Sequence, residues 1–345
     1  MEDIIPFPLM AIVGQAEMKT ALLLTLVNPQ IGGVLLIGPY GVGKTTAVRG
    51  LLDITPHVEH RYRDEENNDQ TIQEPMRLIE LPLNARIEDV VGGINERVAL
   101  EQNRVLLEEG VLAKAHNNLL YVDEINLLEA RVLDAILDAA AQGRTFVRRG
   151  AMVRLFPSRF ILIGSMNPEE GTLRPQIMDR FGLRVWVAPL ADSDERIAIY
   201  RRNHAYRNDP SAFRMLFAEQ TDGLRDEIVA AREILPNVRC APAIEQAALA
   251  IIQVLQIPSH RAEIALLEAA RARAAADFRT SVTFDDLHAV APLALRQRRS
   301  LALEAYATQI ATELATINEA LHNAAPIVVP PRRPRKSKVV QLGEG

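Results

Sequence analysis

Eight consecutive residues, Gly38-Pro39-Tyr40-Gly41-Val42-Gly43-Lys44-Thr45, carry the sharpest chemical signal in this chain of 345 residues. They match G-x-x-x-x-G-K-[ST] at every fixed position. They also follow an apolar run, Val34–Ile37, and open a helical stretch that continues through Thr46. Glycines in such a loop let backbone N–H groups converge on phosphate oxygens. The lysine reaches the outer phosphates, and the hydroxyl of the last residue ligates Mg²⁺. Lys44 and Thr45 are thus candidates for phosphate and metal contact. Downstream, Leu119-Leu120-Tyr121-Val122 is an apolar run ending in Asp123 and Glu124. In enzymes with such a loop, the first acid at this strand end holds Mg²⁺ through water and the second polarises the attacking water as general base; the same pair also suits the acidic start of a helix near Leu127. A third run, Ile161–Met166, ends at Asn167-Pro168, where an amide could orient the lytic water or simply form a turn. Together these sets suggest metal-assisted hydrolysis of a nucleotide phosphoanhydride.

Such side chains converge only if a sheet carries them. From residue 11 to about 190, helical and strand-like runs alternate, which predicts an α/β fold with a largely parallel sheet covered by helices. The spacing predicts a helix over Ala16–Val27, ended by Asn28-Pro29, and five short buried strands at 34–37, 77–81, 119–123, 160–166 and 185–187. The polar run 57–68 reads as a solvent-facing loop, and its His57 and His60 lack a clear metal-ligand set. Residues 144–156 read as a β-hairpin turning at Arg149-Gly150. After 188–190 the composition changes to Ala, Leu, Glu, Arg and Gln at helical spacing. This covers 193–207, 211–232, 242–256, 259–276 and 296–323, with Pro236, Pro242, Pro258 and Pro292 as punctuation. The expected division is an α/β core over 1–190, a helical domain over 191–325, and a disordered basic tail over 326–345.

Composition bounds the rest. A chain that is 48% hydrophobic and 24% charged buries a large core, which excludes a disordered or fibrous protein. The net charge of -5 argues against a generally basic nucleic-acid binder, although Arg332, Arg333, Arg335, Lys336 and Lys338 make the tail locally positive. One cysteine, Cys240, permits neither an internal disulfide nor a cysteine zinc site, and a reducing cytoplasmic setting is expected. The start Met1-Glu2-Asp3 has no basic export segment, and no apolar run approaches the ~20 residues that span a bilayer.

Longer strings narrow the reading. Phe7-Pro8 with Ala11-Ile12-Val13-Gly14-Gln15, then Glu88-Asp89-Val90-Val91-Gly92-Gly93, Gly110-Val111-Leu112-Ala113-Lys114-Ala115-His116 and Asp123-Glu124-Ile125-Asn126, are followed by Asn167-Pro168-Glu169-Glu170-Gly171, Leu173-Arg174-Pro175-Gln176 and Asp179-Arg180-Phe181-Gly182. Across about residues 7–300 this series resembles the ATPase subunit I of magnesium chelatase, a group of AAA+ ATPases. The resemblance implies an AAA+ parallel-sheet core with an all-helical C-terminal lid, ATP and Mg²⁺ as cofactors, and a homo-oligomeric ring expected to be a hexamer. It also implies D-type and H-type partner subunits and a role in driving Mg²⁺ into protoporphyrin IX for (bacterio)chlorophyll synthesis, with no nucleic acid and no integral membrane segment. By the same resemblance Arg180 is the arginine finger that reaches a neighbouring subunit's γ-phosphate, and Arg174 is a second candidate for an intersubunit contact. Arg261, in Ser259-His260-Arg261, matches sensor 2 and should touch phosphate from within its own chain. Ile12 and Val13 fall where the adenine pocket lies, a place equally suited to a strand-to-helix lead-in. An insertion is expected near 98–109, and it and the hairpin near 144–156 face the pore or partners, or are ordinary surface elements.

Two other readings compete. A MoxR-like AAA+ ATPase, maturing another metalloprotein with a metal-ion-dependent adhesion-type (VWA) partner, shares the core motifs; the strings at 110–116, 173–176 and 179–182 favour the chelatase. A DNA-associated scaffold using the basic tail has no need of Lys44, Asp123 and Glu124.

Overall fold

The computed structural model describes residues 5–63, 69–94, 106–150 and 152–323. Five strands fall on the five predicted runs: β1 (Val34–Ile37), β4 (Leu78–Leu81), β7 (Leu119–Val122), β10 (Ile161–Met166) and β11 (Leu183–Trp186). They form one sheet in the order β11-β1-β10-β7-β4, with every neighbouring pair parallel. β1, β7 and β10 are buried at every residue, so both faces must be apolar and the sequence shows unbroken runs in place of alternation.

Successive side chains nonetheless divide between two faces. Val34, Leu36, Leu119, Tyr121, Ile161 and Ile163 join a core with helix Ala16–Val27 and with the helices that follow residue 190. Leu35, Ile37, Leu120, Val122 and Leu162 pack with Val132, Leu133, Ile136 and Leu137 of helix Ala130–Gln142. The first core continues into helices Ala218–Ile234, Pro242–Val254, His260–Ala276 and Phe284–Leu295. Residue 190 therefore marks a change of secondary structure that one core crosses. Residues Met1–Arg299 make one compact unit, and Ser300–Gly345, which contains helix Leu301–Asn323, makes a second.

Two expectations change. The polar run expected to be a loop begins with strand β2 (His57–Arg63), paired antiparallel with β3 (Asp69–Pro75) as a separate two-stranded sheet. A ribbon outside the main sheet does not require an apolar face, so its composition resembles a loop. Pro292, read as a helix stop, lies inside helix Phe284–Leu295. That helix is started by a capping box in which Thr283 and Asp286 bond each other's backbone N–H groups. Near its C-terminal end a proline removes a single backbone bond.

The hairpin forms as read, β8 (Arg144–Arg149) against β9 (Met152–Pro157), with Gly150 at φ 58°. β5 (Gly92–Ile94) and β6 (Leu107–Glu109) pair antiparallel beside it. Of the insertion expected near 98–109 only residues 106–109 are described, and the tail expected at 326–345 lies outside the described residues. No helix among the described residues is long and apolar enough to cross a membrane.

Candidate active site

In a wholly parallel sheet the C-terminal strand ends share one edge, and the loops leaving that edge meet there. The loop after β1 runs from Gly38 into helix Lys44–Gly50. Gly38 is required by a close approach, since a Cβ on it would lie 2.2 Å from the carbonyl oxygen of Val187. Gly43 caps the helix in the left-handed region at φ 89°, where glycine alone is unstrained, and the space above it is open. Lys44, only 9% exposed, folds its Nζ back onto the carbonyls of Gly38 (2.6 Å) and Pro39 (2.8 Å). Burial lowers its pKa, against the opposing pull of Asp123, Glu124 and Glu170.

Asp123 leaves the end of β7 and accepts hydrogen bonds from Thr45 Oγ1 (3.1 Å), Tyr121 OH (2.8 Å) and Ser165 Oγ. Burial pushes its pKa up, but these hydrogen bonds outweigh burial and hold the carboxyl below its ordinary range. An ionised carboxylate bonded to a threonine hydroxyl at the mouth of an open glycine loop is a donor set suited to a hard divalent cation beside phosphate, so the residues present fit Mg²⁺ with a nucleotide. Glu124 adopts φ 47°, left-handed for a non-glycine residue, and its N–H donates to Ser165 Oγ (3.1 Å). Desolvation, then Glu170 and Asp123, raise the pKa of its carboxyl, a direction that suits a proton acceptor. Asn167, 1% exposed, caps the turn Pro168–Glu170 by accepting the Glu169 N–H at 3.2 Å.

Lys44, Thr45, Thr46, Asp123, Glu124 and Asn167 all line one cavity of about 240 Å³. A neighbouring cavity of about 520 Å³ shares Tyr40, Gly41, Val42, Gly43 and Thr46 with it, and Ile12 and Val13 form part of its wall. The Ile12 segment is anchored by Lys19 Nζ on the Ile12 carbonyl (2.9 Å), and Gln15 Nε2 on the Ala188 carbonyl (2.8 Å) ties it to the end of the sheet.

Two expected residues lie elsewhere. Arg180 is in the turn before β11, beside Gly32 and Gly33, which precede β1; this is the opposite edge of the sheet. The five residue steps from Gly33 to Gly38 separate the two edges by about 16 Å at the rise of an extended strand. Arg180 Nη1 donates to Asp138 Oδ1 of helix Ala130–Gln142 at 2.9 Å. Both side chains are partly solvent-exposed, so this pair holds by about 1 kcal/mol at most and is easily exchanged.

Arg261, expected to touch phosphate from within its own chain, is placed beside Arg180. It lines the same cavity as Arg180, about 330 Å³, and not the one containing Lys44. The reason is a lock between two segments: Ser259 Oγ donates to Asp179 Oδ2 at 2.6 Å and fixes the start of helix His260–Ala276 beside the Arg180 turn. Buried Arg298 completes the lock, donating to Asp179 Oδ1 (2.7 Å) and to the carbonyls of Phe181 (2.8 Å) and Gly182 (3.0 Å). Arg174 pairs with Asp134 at 3.5 Å on the surface. Among the described residues no group of three or more His, Cys, Asp or Glu is placed to hold a metal, His57 included.

Reasoning from sequence missed Tyr121, Ser165, Arg184 and Arg298. The available signal was a polar group inside an apolar run, as Ser165 is within Ile161–Met166 and Arg184 within Leu183–Trp186.

The chain is similar to known proteins over most of its length. The family model for magnesium chelatase, subunit ChlI, matches residues 8–180, and that for the AAA lid domain matches residues 246–314. The chain is 42% identical over 312 residues to the magnesium-chelatase 38 kDa subunit of Acidiphilium rubrum, covering 85% of this chain and 90% of that protein. It is 39% identical over 310 residues to the magnesium-chelatase subunit ChlI homolog of Methanocaldococcus jannaschii, covering 85% of each. A solved structure of the complex between subunits BchI and BchD of magnesium chelatase aligns with a TM-score of 0.50 and 38% identity, over 88% of this chain and 99% of the other. With the phosphate loop, the paired acids and the helical lid matched together, the chain belongs to the magnesium chelatase subunit ChlI family of AAA+ ATPases.

Proposed function

We propose that this chain is the ATP-hydrolysing motor of a magnesium chelatase, which drives Mg²⁺ insertion into protoporphyrin IX in (bacterio)chlorophyll biosynthesis. The observation that carries the reading is the division of the site. Lys44, Thr45, Asp123, Glu124 and Asn167 meet at one edge of the sheet, while Arg180 and Arg261 stand together at the other. An enzyme whose cationic groups lie about 16 Å from its own phosphate loop completes its site from a second copy, and a ring, expected to be a hexamer, supplies one at every interface.

In that arrangement the loop 38–45 and Lys44 hold the phosphates of ATP, Ile12 and Val13 border the base, and Thr45 and Asp123 hold Mg²⁺. When bound, the metal neutralises charge on the phosphate oxygens. Glu124 takes a proton from the attacking water, Asn167 orients that water, and the partner's copies of Arg180 and Arg261 stabilise the charge that develops during transfer. The products are ADP, inorganic phosphate and a proton.

Support for partners comes from the relative solved together with a D-type subunit; an H-type subunit carrying the porphyrin would complete the enzyme, and a cytoplasmic site of action fits. The test is reconstitution of this chain with D- and H-type subunits, protoporphyrin IX, Mg²⁺ and ATP. Formation of magnesium protoporphyrin that stops when ATP or this chain is left out is the expected result. ATP hydrolysis without any metallated product, in the presence of active partners, would reject the chelatase role and favour maturation of another metalloprotein.

A further inference from the structure

Ser165 stands where the alternation of β10 calls for an apolar residue. Ile161 and Ile163 point to the same face and are buried in the core, and Ser165, next in that series, is fully buried. A hydroxyl with no exposure persists in such a place only if both its donor and its acceptor are used. Both are: Ser165 Oγ donates to Asp123 Oδ1 and accepts the N–H of Glu124 at 3.1 Å. The register explains why. Tyr121 pairs with Ile163 and Val122 with Gly164, so the next residue of each strand sets Asp123 opposite Ser165. β10 is itself held between β1 and β7, which leaves Ser165 little freedom to move.

The residue held on the other side is the unusual one. Glu124 occupies φ 47°, a conformation that is unfavourable for a non-glycine residue and persists only where its surroundings impose it. Asp123 and Glu124 are adjacent in sequence but serve different partners, one the metal and one the water. A backbone turned between them must be fixed for the two carboxylates to diverge.

Resting on the hydrolytic reading above, we propose that Ser165 is a positioning residue of ATP hydrolysis, whose single hydroxyl ties the metal-side carboxylate of Asp123 to the backbone of the general base Glu124 and so holds that base on the nucleotide cavity. The inference differs from the assignment of Asn167, two residues later, which caps its own turn through its side chain. Ser165 borders the same cavity as Lys44 and Glu124, and its hydroxyl is committed to its two neighbours, Asp123 and the Glu124 N–H.

The test uses the full chain, with ATP and Mg²⁺, and measures phosphate release, ATP affinity and thermal unfolding for Ser165→Ala, for the near-isosteric pair Ser165→Thr and Ser165→Val, and for Glu124→Gln. Ser165→Ala should lower kcat by about 10–100-fold, the range for groups that orient metal-site ligands, while changing ATP affinity less than about threefold. Ser165→Thr should retain turnover and Ser165→Val should lose it, and this pair decides the matter if the alanine variant does not fold. Turnover in folded Ser165→Ala or Ser165→Val within threefold of wild type, with Glu124→Gln inactive, overturns the proposal and leaves the hydrolytic reading intact. A fall in ATP affinity or melting temperature that accounts for the whole loss of turnover also overturns it. Full activity in Glu124→Gln overturns the hydrolytic assignment itself.

Discussion

Lys44 and Glu124 line the same cavity but should fail differently when altered. Lys44 is a buried cation on the loop that faces phosphate, so Lys44→Ala should abolish measurable ATP binding in a fluorescent-nucleotide titration. Glu124→Gln keeps shape and hydrogen-bonding capacity but loses the basic oxygen. ATP should still bind while phosphate release falls about 10²-fold or more, the usual contribution of a positioned base. Equal loss of binding in both variants would remove the distinction between them. The loop, the two acids and Asn167 were legible in the sequence because each is a local string. Tyr121 and Ser165 were not, because their roles depend on which residue of the neighbouring strand lies opposite, and register is set by the assembled sheet.

Helices and strands raise a different question, and for the lid it is what holds its own helices in place. Asp286 is buried at the start of helix Phe284–Leu295, where it accepts from the Thr283 N–H at 2.8 Å and from both terminal nitrogens of Arg279. Burial raises its pKa, but the bonds from Arg279 and Thr283 prevail and hold it below its ordinary value. A carboxyl with a lowered folded pKa contributes stability above its unfolded pKa, about 3.9, and that contribution is lost as pH falls through the folded value. Asp286→Asn should therefore unfold about 2 kcal/mol more easily in urea at pH 7, with the gap to wild type closing below about pH 4. A gap that stays constant with pH would show that charge is not the cause. The five strands could be read from the sequence because each is a short apolar run between polar loops. The ribbon β2–β3 could not, since a two-stranded sheet without a buried face leaves no apolar trace, and helix Phe284–Leu295 was hidden by Pro292.

At the scale of the whole molecule, the proposal that each site is completed by a second copy has a direct test. Arg180→Ala subunits keep Lys44, and Lys44→Ala subunits keep Arg180, so mixing the two inactive variants should restore part of the ATPase activity at interfaces that pair an intact loop with an intact arginine. Arg261→Ala should complement Lys44→Ala in the same way. Rescue by Arg180→Ala alone would return Arg261 to action within its own chain. The resemblance pointed to Arg261, but the place of that residue in the fold depends on the Ser259–Asp179 bond, which no spacing reveals.

That bond has a consequence for the order in which the chain becomes competent. Asp179 is held by Ser259 and Arg298, and Arg184 is held by the carbonyls of Arg296 and Gln297. The phosphate loop and its acids are all made by residue 167, so a growing chain carries these parts long before it can fix Arg180 and Arg261 in place. The segment around residue 298 emerges among the last of the compact unit, and under the proposed division of the site its arrival is the step that equips a subunit to serve a neighbour.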